Sequence, residues 1–191
     1  MTTDGSCRVA LVGMMGSGKS TIGRLLAEAT GWPYVDNDEL VRRAHGMTAR
    51  ELLADRGEDV MRRAESDAMA LGLALPPPAI VGVAAGVILD ADDRERLRRG
   101  AIVIWLRATA GVLESRAKDA DHRPWLEADG GSWIREAAAE REPMYASIAD
   151  LVLDTDAGSP AEAVAILHAW LLATTPCAAR ETSGGAGSRS R

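Results

Sequence analysis

The chain has 191 residues, of which 47% are hydrophobic and 26% charged, a composition typical of a globular domain with a sizeable core. Acidic residues outnumber basic ones by 28 to 22, which gives a formal net charge of −6. This charge disfavours non-specific binding to nucleic acid or to an anionic membrane, so we expect neither as a partner. Any anionic ligand must therefore be held by individually placed basic residues.

The two cysteines, Cys7 and Cys177, lie near opposite ends of the chain without the spacing of metal ligands. The sequence therefore indicates neither a disulfide framework nor a zinc site. Residues 1–6 lack the basic and apolar segments of a secretory signal, and the longest apolar run, 79–89, is too short to cross a bilayer. We expect a cytoplasmic protein with a disordered tail at 174–191, a stretch rich in Ser, Gly, Ala and Arg.

Short apolar runs alternate with segments of helical periodicity along the chain. The runs predict strands at 8–12, 34–36, 79–83, 101–106 and 151–153. The periodic segments predict helices at 19–30, 38–44, from 48, 58–75, from about 90, 111–118, 133–147 and from 160. Capping boxes mark two helix starts, Thr48 with Glu51 and Ser159 with Glu162. Strands that alternate with helices predict a parallel sheet covered on both faces, hence a three-layer α/β domain.

The segment GMMGSGKS at 13–20 follows the first predicted strand and opens the first predicted helix. It matches the P-loop pattern G-x-x-x-x-G-K-[ST] in the structural context that this pattern requires. Its glycines allow backbone N–H groups and the helix N-terminus to surround phosphates. Lys19 is predicted to bridge the β- and γ-phosphates of a nucleotide, and Ser20 to bind Mg²⁺. The other predicted nucleotide contacts in this region are Gly16, Ser17, Gly18 and Thr21.

A P-loop alone does not distinguish a kinase from a GTPase or a motor, and most P-loop proteins hold the metal with a further acidic residue. The third and fourth predicted strands end without a carboxylate. Asp36 and Asp38 are better placed, at the carboxyl end of the second strand, where α/β sheets open their binding crevice. The alternative role for this pair is structural, a turn residue followed by a helix N-cap.

Several short motifs occur in a fixed order along the chain. They are the P-loop with its continuation to Gly23, Asp36-Asn37-Asp38, Gly57-Glu58 with Arg62 and Glu65, Arg123-Pro124, and the segment REPMY at 141–145. In this order and spacing the chain resembles shikimate kinases from about residue 9 to residue 172. The resemblance implies a nucleoside-monophosphate-kinase-like P-loop fold with a central, mainly five-stranded parallel sheet and a short lid. It also implies a transferase of aromatic amino acid biosynthesis that uses ATP and Mg²⁺ to convert shikimate to shikimate 3-phosphate.

The same resemblance implies roles for the matching residues. Asp36 would hold the metal through water, and Asp38 would bind the acceptor hydroxyls and take a proton. Arg62 and Arg141 would pair with the substrate carboxylate, a geometry that the planar guanidinium suits. The catalytic domain would cover residues 1–173, and we expect it to be a monomer.

The remaining implied residues lie in the lid and beneath the substrate. Arg123, in a lid at 119–131, would reach the transferring phosphoryl group, and Arg116 would pack on adenine. Ala85 and Gly86 would lie under the substrate, where the family usually carries three consecutive glycines. Here the first two are Ala84 and Ala85, and their methyl groups either shrink the pocket or move the turn.

Two alternatives stay open. The Ala84-Ala85 pair motivates a related kinase with a changed acceptor, such as another cyclitol or hydroxy acid. A non-catalytic nucleotide-binding regulator would have kept the fold and lost the acceptor. Gluconate kinases and antibiotic phosphotransferases share the P-loop, but the segment 141–145 fits them less well. A nucleotide kinase would need more arginines around a second phosphate site.

Overall fold

The computed structural model describes residues 7–118 and 132–174. The strands are β1 (Arg8–Val12), β2 (Tyr34–Asp36), β3 (Ala79–Gly82), β4 (Ile102–Arg107) and β5 (Leu151–Asp154). The helices are α1 (Lys19–Thr30), α2 (Asn37–His45), α3 (Ala49–Arg56), α4 (Glu58–Leu73), α5 (Ala91–Gly100), α6 (Ala110–Lys118), α7 (Ser132–Ile148) and α8 (Pro160–Thr174). A short 3₁₀ turn, Val87–Leu89, follows β3. The predicted elements are all present, and the largest boundary difference is at the end of α4, predicted at residue 75 and found at Leu73.

All five strands are parallel, in the order β2-β3-β1-β4-β5. This confirms the predicted five-stranded parallel sheet. The chain leaves β1 towards β2 and β3 on one side and later reaches β4 and β5 on the other. The carboxyl end of β1 therefore lies at the point where the strand order reverses, which is where open α/β sheets bind ligands.

In the central strand β1, alternate residues are buried on opposite faces of the sheet. Ala10 and Val12 pack in a cluster with residues of α4, α5 and α7, whereas Val9 and Leu11 pack with α1 and α8. The period of two follows from strand geometry, and each fully buried aliphatic side chain contributes roughly 1.5–3 kcal/mol. Helices thus cover both faces, and the predicted three-layer arrangement is confirmed.

Side-chain caps fix the starts of several helices. Thr48 and Glu51 form the predicted capping box of α3, and the backbone N–H groups of Ser159 and Glu162 donate to each other's side chains at α8. Asp36, not Asp38, is the N-cap of α2, because its carboxylate accepts from the Asp38 N–H. The helix N-cap considered as a structural role for the aspartate pair is therefore Asp36.

Cys7, directly before β1, is disulfide-bonded, so the expectation that the cysteines form no disulfide is wrong at this position. The second cysteine, Cys177, lies outside the described residues, as do the predicted lid at 119–131 and the tail from 175 onward. Helix α8 continues to Thr174, one position past the predicted domain end. Across 7–118 and 132–174 no helix combines the length and apolar character needed to span a bilayer.

Candidate active site

The P-loop joins β1 to α1 through backbone geometry that glycine permits. Gly13, Gly16 and Gly18 have φ angles of +145°, +85° and +94°. A Cβ at Gly13 would also lie only 2.8 Å from the Ser17 Oγ, so the loop is too tight for a side chain there. Ser17 is 1% exposed, and its Oγ has no hydrogen-bond partner within the described part of the chain. Such a buried hydroxyl is suited to donate to a ligand in the loop.

Lys19 and Ser20 are the first two residues of α1 and directly follow the P-loop. We call the region at the carboxyl ends of the strands the crevice, and the P-loop forms one end of it. The Lys19 Nζ donates to the carbonyl oxygens of Gly13 and Met14, at 2.8 and 3.0 Å. The Ser20 hydroxyl donates to the Asp36 Oδ2 at 2.8 Å. The fold thus brings together the P-loop lysine, the P-loop serine and the first predicted aspartate. Thr21 lies exposed in the same first turn of α1.

From the described residues, the Asp36 carboxylate accepts three hydrogen bonds. Its Oδ2 accepts from the Ser20 hydroxyl and, at 2.7 Å, from the Tyr34 hydroxyl, while its Oδ1 accepts from the Asp38 N–H at 3.1 Å. Burial raises the pKa of Tyr34, and the neighbouring Asp36 charge raises it further. Tyr34 is therefore a neutral hydrogen-bond donor to the Asp36 carboxylate.

The Ser20–Asp36 pair has the donor chemistry that Mg²⁺ prefers. Mg²⁺ usually binds one or two protein oxygens and completes its shell with substrate phosphates and water. In the part of the chain that the structure describes, no cluster of three or more His, Cys, Asp or Glu side chains could hold a metal by itself. A hydroxyl and a carboxylate beside a phosphate-binding loop fit a metal that arrives with a nucleotide.

The other end of the crevice carries a cluster of charged side chains around Glu65, which is 7% exposed. The Arg62 Nη1 donates to the Glu65 Oε2 at 3.0 Å. The pKa of Glu65 lies above its ordinary value, mainly because the side chain is buried, and the Asp38 charge raises it further. The charges of Arg62 and Arg141 and the hydrogen bond from Arg62 act in the opposite direction. These four side chains are therefore close enough to influence one another. A Cβ at Gly86 would overlap the Arg62 Nη1, so this glycine leaves the space that the ion pair fills.

Arg141 lies on α7 and is only 6% exposed. Its Nη1 donates to the Ala85 carbonyl oxygen at 3.4 Å, and its guanidinium lies 5.8 Å from the centre of the Trp133 ring. Its Nε is buried without a hydrogen-bond partner among the described residues. A buried guanidinium with a free donor is costly unless an anion binds it, so this arginine is a candidate carboxylate ligand.

Tyr145, one turn after Arg141 on α7, also contacts the turn after β3. Its hydroxyl donates to the Ala85 carbonyl oxygen at 3.2 Å, and its ring stacks on Trp105 with centroids 5.6 Å apart. Burial raises the pKa of Tyr145, so its hydroxyl stays neutral. Two side chains of one helix thereby fix the carbonyl of Ala85.

Arg116, on α6, contacts both the P-loop and the chain after β5. It donates to the Gly16 carbonyl at 3.4 Å and to both the side-chain and backbone oxygens of Thr155. The Thr155 hydroxyl in turn lies 3.3 Å from the Ser17 carbonyl oxygen. Arg116 is therefore fixed beside the loop that would hold the phosphates.

The sequence profile of shikimate kinase matches residues 15–171 of the chain. The chain belongs to the shikimate kinase family. A shikimate kinase of Moorella thermoacetica is 37% identical over 172 residues, covering 87% of this chain and 98% of the relative. One from Oleidesulfovibrio alaskensis is 41% identical over 164 residues, covering 83% and 92%. The solved shikimate kinase of Acinetobacter baumannii in complex with shikimate is 27% identical, with a TM-score of 0.80 and coverage of 88% and 95%.

The fold places the predicted residues of this family member in two groups. Lys19, Ser20 and Asp36 meet at the P-loop, with Gly16, Ser17, Gly18 and Arg116 beside them. Asp38, Arg62, Ala85, Gly86 and Arg141 surround the other end of the crevice. Arg123 lies outside the described residues. The functional roles of all these residues stay predictions.

Two residues of the site were missed by the motifs. Tyr34 precedes Asp36 by two positions in β2, so both side chains lie on one face of the strand, and this spacing could have indicated their contact. Thr155 follows β5 and reaches the P-loop through folding of distant segments. No local signal in the sequence pointed to Thr155.

Proposed function

We propose that this protein phosphorylates shikimate with ATP to give shikimate 3-phosphate. The observation that carries this proposal is the position of Arg141. It is a buried arginine whose Nε has no partner among the described residues, and its Nη1 lies 4.0 Å from the Sδ of Met14 in an intact P-loop. A phosphate donor at one end and an anionic acceptor at the other is the arrangement that such a kinase needs. The family membership and the shikimate-bound relative support the choice of acceptor.

At the P-loop, the backbone N–H groups and Lys19 would bind the β- and γ-phosphates and neutralise charge that develops during transfer. Lys19 would exchange its contacts with the Gly13 and Met14 carbonyls for contacts with phosphate oxygens. When bound, Mg²⁺ would neutralise phosphate charge. Ser20 would contribute its hydroxyl to that ion, and Asp36 would orient a water molecule on it.

At the acceptor side, Arg62 and Arg141 would hold the substrate carboxylate, while Ala85 and Gly86 form the floor of the pocket. Asp38, exposed in the first turn of α2, would orient the acceptor hydroxyl and take its proton. Arg123, in the lid, would stabilise the transferring phosphoryl group. Lid closure would exclude water, which otherwise competes as an acceptor.

A kinase with a changed acceptor is the second candidate, and Ala84-Ala85 is the observation that favours it. The carbonyl of Ala85 is held by both Arg141 and Tyr145, so the backbone of this turn is fixed from α7. A fixed turn with added methyl groups would narrow the pocket instead of moving away from it. The acceptor would then be smaller or flatter than shikimate.

We also propose that the protein works as a monomer in the cytoplasm, where ATP is available. Because cytosolic thiols are normally kept reduced, the redox state of Cys7 in the producing cells is a test of the compartment. Size-exclusion chromatography with light scattering tests the monomer. Thiol titration of protein denatured directly from the producing cells tests the redox state.

A coupled assay of ADP release, with the product identified by mass spectrometry, tests the proposed function. Shikimate should give saturable turnover with a KM in the micromolar to millimolar range. An Asp38→Asn preparation serves as a control that should bind ATP normally and transfer no phosphate to shikimate. Saturable turnover with another cyclitol or hydroxy acid, but none with shikimate, would establish the second candidate. Magnesium-dependent ATP binding without transfer to any acceptor would indicate a regulator.

A further inference from the structure

Tyr34 occupies a slot formed by two glycines next to the proposed metal site. A Cβ at Gly23, on α1, would overlap the Tyr34 ring. A Cβ at Gly82, on β3, would overlap the Tyr34 hydroxyl. The phenol therefore fits only because neighbouring elements on two sides lack side chains.

The Tyr34 hydroxyl makes a charge-assisted contact with Asp36. It donates to the Oδ2 at 2.7 Å, and the Ser20 hydroxyl donates to the same oxygen at 2.8 Å. The other oxygen accepts from the Asp38 N–H. A carboxylate offers about four acceptor positions, so these three bonds leave roughly one for a further donor. The described bonds therefore hold the carboxylate and leave acceptor capacity for a ligand.

We infer that Tyr34 is a positioning residue for the magnesium–nucleotide site, where its hydroxyl holds the Asp36 carboxylate beside Ser20. The inference rests on the proposed function, because the metal would arrive with the nucleotide. Without the hydroxyl, the cap bond to Asp38 and the bond to Ser20 would still hold the carboxylate, but its rotation towards the metal would be less restricted. A carboxylate that is fixed before the ligand arrives loses less freedom on binding.

The Tyr34→Phe variant isolates the hydroxyl, since phenylalanine keeps the ring that fills the slot. We expect the affinity for ADP in the presence of Mg²⁺ to fall about tenfold, the lower end of the effect of removing partners of metal-binding groups. The affinity for ADP with EDTA should change by less than about twofold. Isothermal titration calorimetry measures both affinities, and thermal unfolding confirms that the variant is folded.

Two further variants separate positioning from a general structural effect. Thr30→Val also removes a hydroxyl that donates to a backbone carbonyl, but it does so at the opposite end of α1, away from the site, so it should leave the magnesium dependence of ADP binding unchanged. In an Asp36→Ala background, Tyr34→Phe should cause no further loss, because the coupling partner is gone. Equal losses in both backgrounds would overturn the inference.

The outcomes also distinguish this inference from the proposed function. If wild-type protein binds ADP with Mg²⁺ and Tyr34→Phe binds it equally or more tightly, Tyr34 does not position the site, while the kinase proposal survives. If wild-type protein shows no magnesium-dependent nucleotide binding, the proposed function fails, and the inference fails with it.

Discussion

The two ends of the crevice hold charge in different ways. At the P-loop, the charged side chains are paired within the chain: Lys19 with two backbone carbonyls, and Asp36 with Ser20, Tyr34 and the Asp38 N–H. The neutral Ser17 hydroxyl is the group there that has no partner among the described residues. At the acceptor end, Arg141 is buried with an Nε that has no partner in ranges 7–118 and 132–174, and Glu65 is buried in an ion pair. The charged groups at the P-loop end are thus held in place before a ligand binds, whereas the acceptor end has a buried cation that an anionic ligand would pair.

This difference indicates that the acceptor end determines the specificity for the substrate. A cradle made mainly of backbone groups binds any triphosphate of the right shape, so it says little about the reaction partner. A buried guanidinium with a free donor selects for an anion, because desolvation makes its unpaired state costly. We therefore expect changes at the P-loop to affect turnover, and changes at the acceptor end to affect the affinity for shikimate.

The largest expected effect is that of Lys19→Ala. Loss of a charge contact to the transferring group costs about 3–4 kcal/mol in comparable sites, so kcat should fall at least about a hundredfold. The affinity for shikimate, measured by calorimetry, should change by less than about threefold, because the hydrogen bonds from the Lys19 Nζ to the Gly13 and Met14 carbonyls place it at the P-loop end. Unchanged turnover would reject the role of Lys19 and the expectation that changes at the P-loop affect turnover.

Arg141→Lys tests the acceptor end and should raise the KM for shikimate about thirtyfold, with the KM for ATP unchanged within about threefold. Lysine keeps the charge but loses the planar pair of donors, and a hydrogen bond to a charged group contributes about 1.5–3 kcal/mol. Arg63→Lys is the matched control, because Arg63 lies exposed on α4 beside the proposed ligand Arg62. An equal rise of both KM values would show that Arg141 is not specific to the acceptor.

The fold and the P-loop end could be predicted from the sequence because both depend on local signals. The periodicity of apolar residues indicated the strands and helices. The conformation of the Gly-rich loop is encoded in eight consecutive residues, so the motif alone could indicate it. The contact of Tyr34 with Asp36 required reading strand alternation within a three-residue strand. The Arg141–Ala85 and Thr155–Ser17 contacts join segments 56 and 138 residues apart, and no local pattern encodes them. The disulfide at Cys7 has no local signal either.

Gly86→Ala tests the acceptor end by adding a single methyl group next to the Arg62–Glu65 pair. Gly86 has a φ of −82°, which alanine adopts readily, so the effect must come from space alone. The added Cβ would displace the Arg62–Glu65 pair, and we expect a roughly tenfold higher KM for shikimate, equivalent to about 1.4 kcal/mol. Gly111→Ala on α6 is the control, since a Cβ there meets no atom within 4 Å. A similar effect on the KM for ATP would contradict a role restricted to the acceptor.

The smallest expected effect concerns pH and stability. Burial raises the pKa of Glu65 in the folded protein above its unfolded value of about 4.3. The folded state therefore binds this proton more tightly, and the resulting stability is complete below the unfolded pKa and is lost as pH rises through the folded pKa. Glutamine cannot titrate, so the free energy of unfolding of Glu65→Gln, relative to wild type, should increase with pH across that window. Urea unfolding at about pH 4, 6 and 8 measures it.

Glu39→Gln provides a control with the opposite sign. The hydrogen bond from Arg43 lowers the pKa of the partly exposed Glu39, so its contribution is present above the unfolded pKa and is lost as pH falls through the folded value. The free energy of unfolding of this variant, relative to wild type, should therefore decrease with rising pH. If both variants followed the same trend, the buried Glu65 would not differ electrostatically from a surface glutamate. The acceptor end would then lack the desolvated charges on which its selectivity for an anion depends.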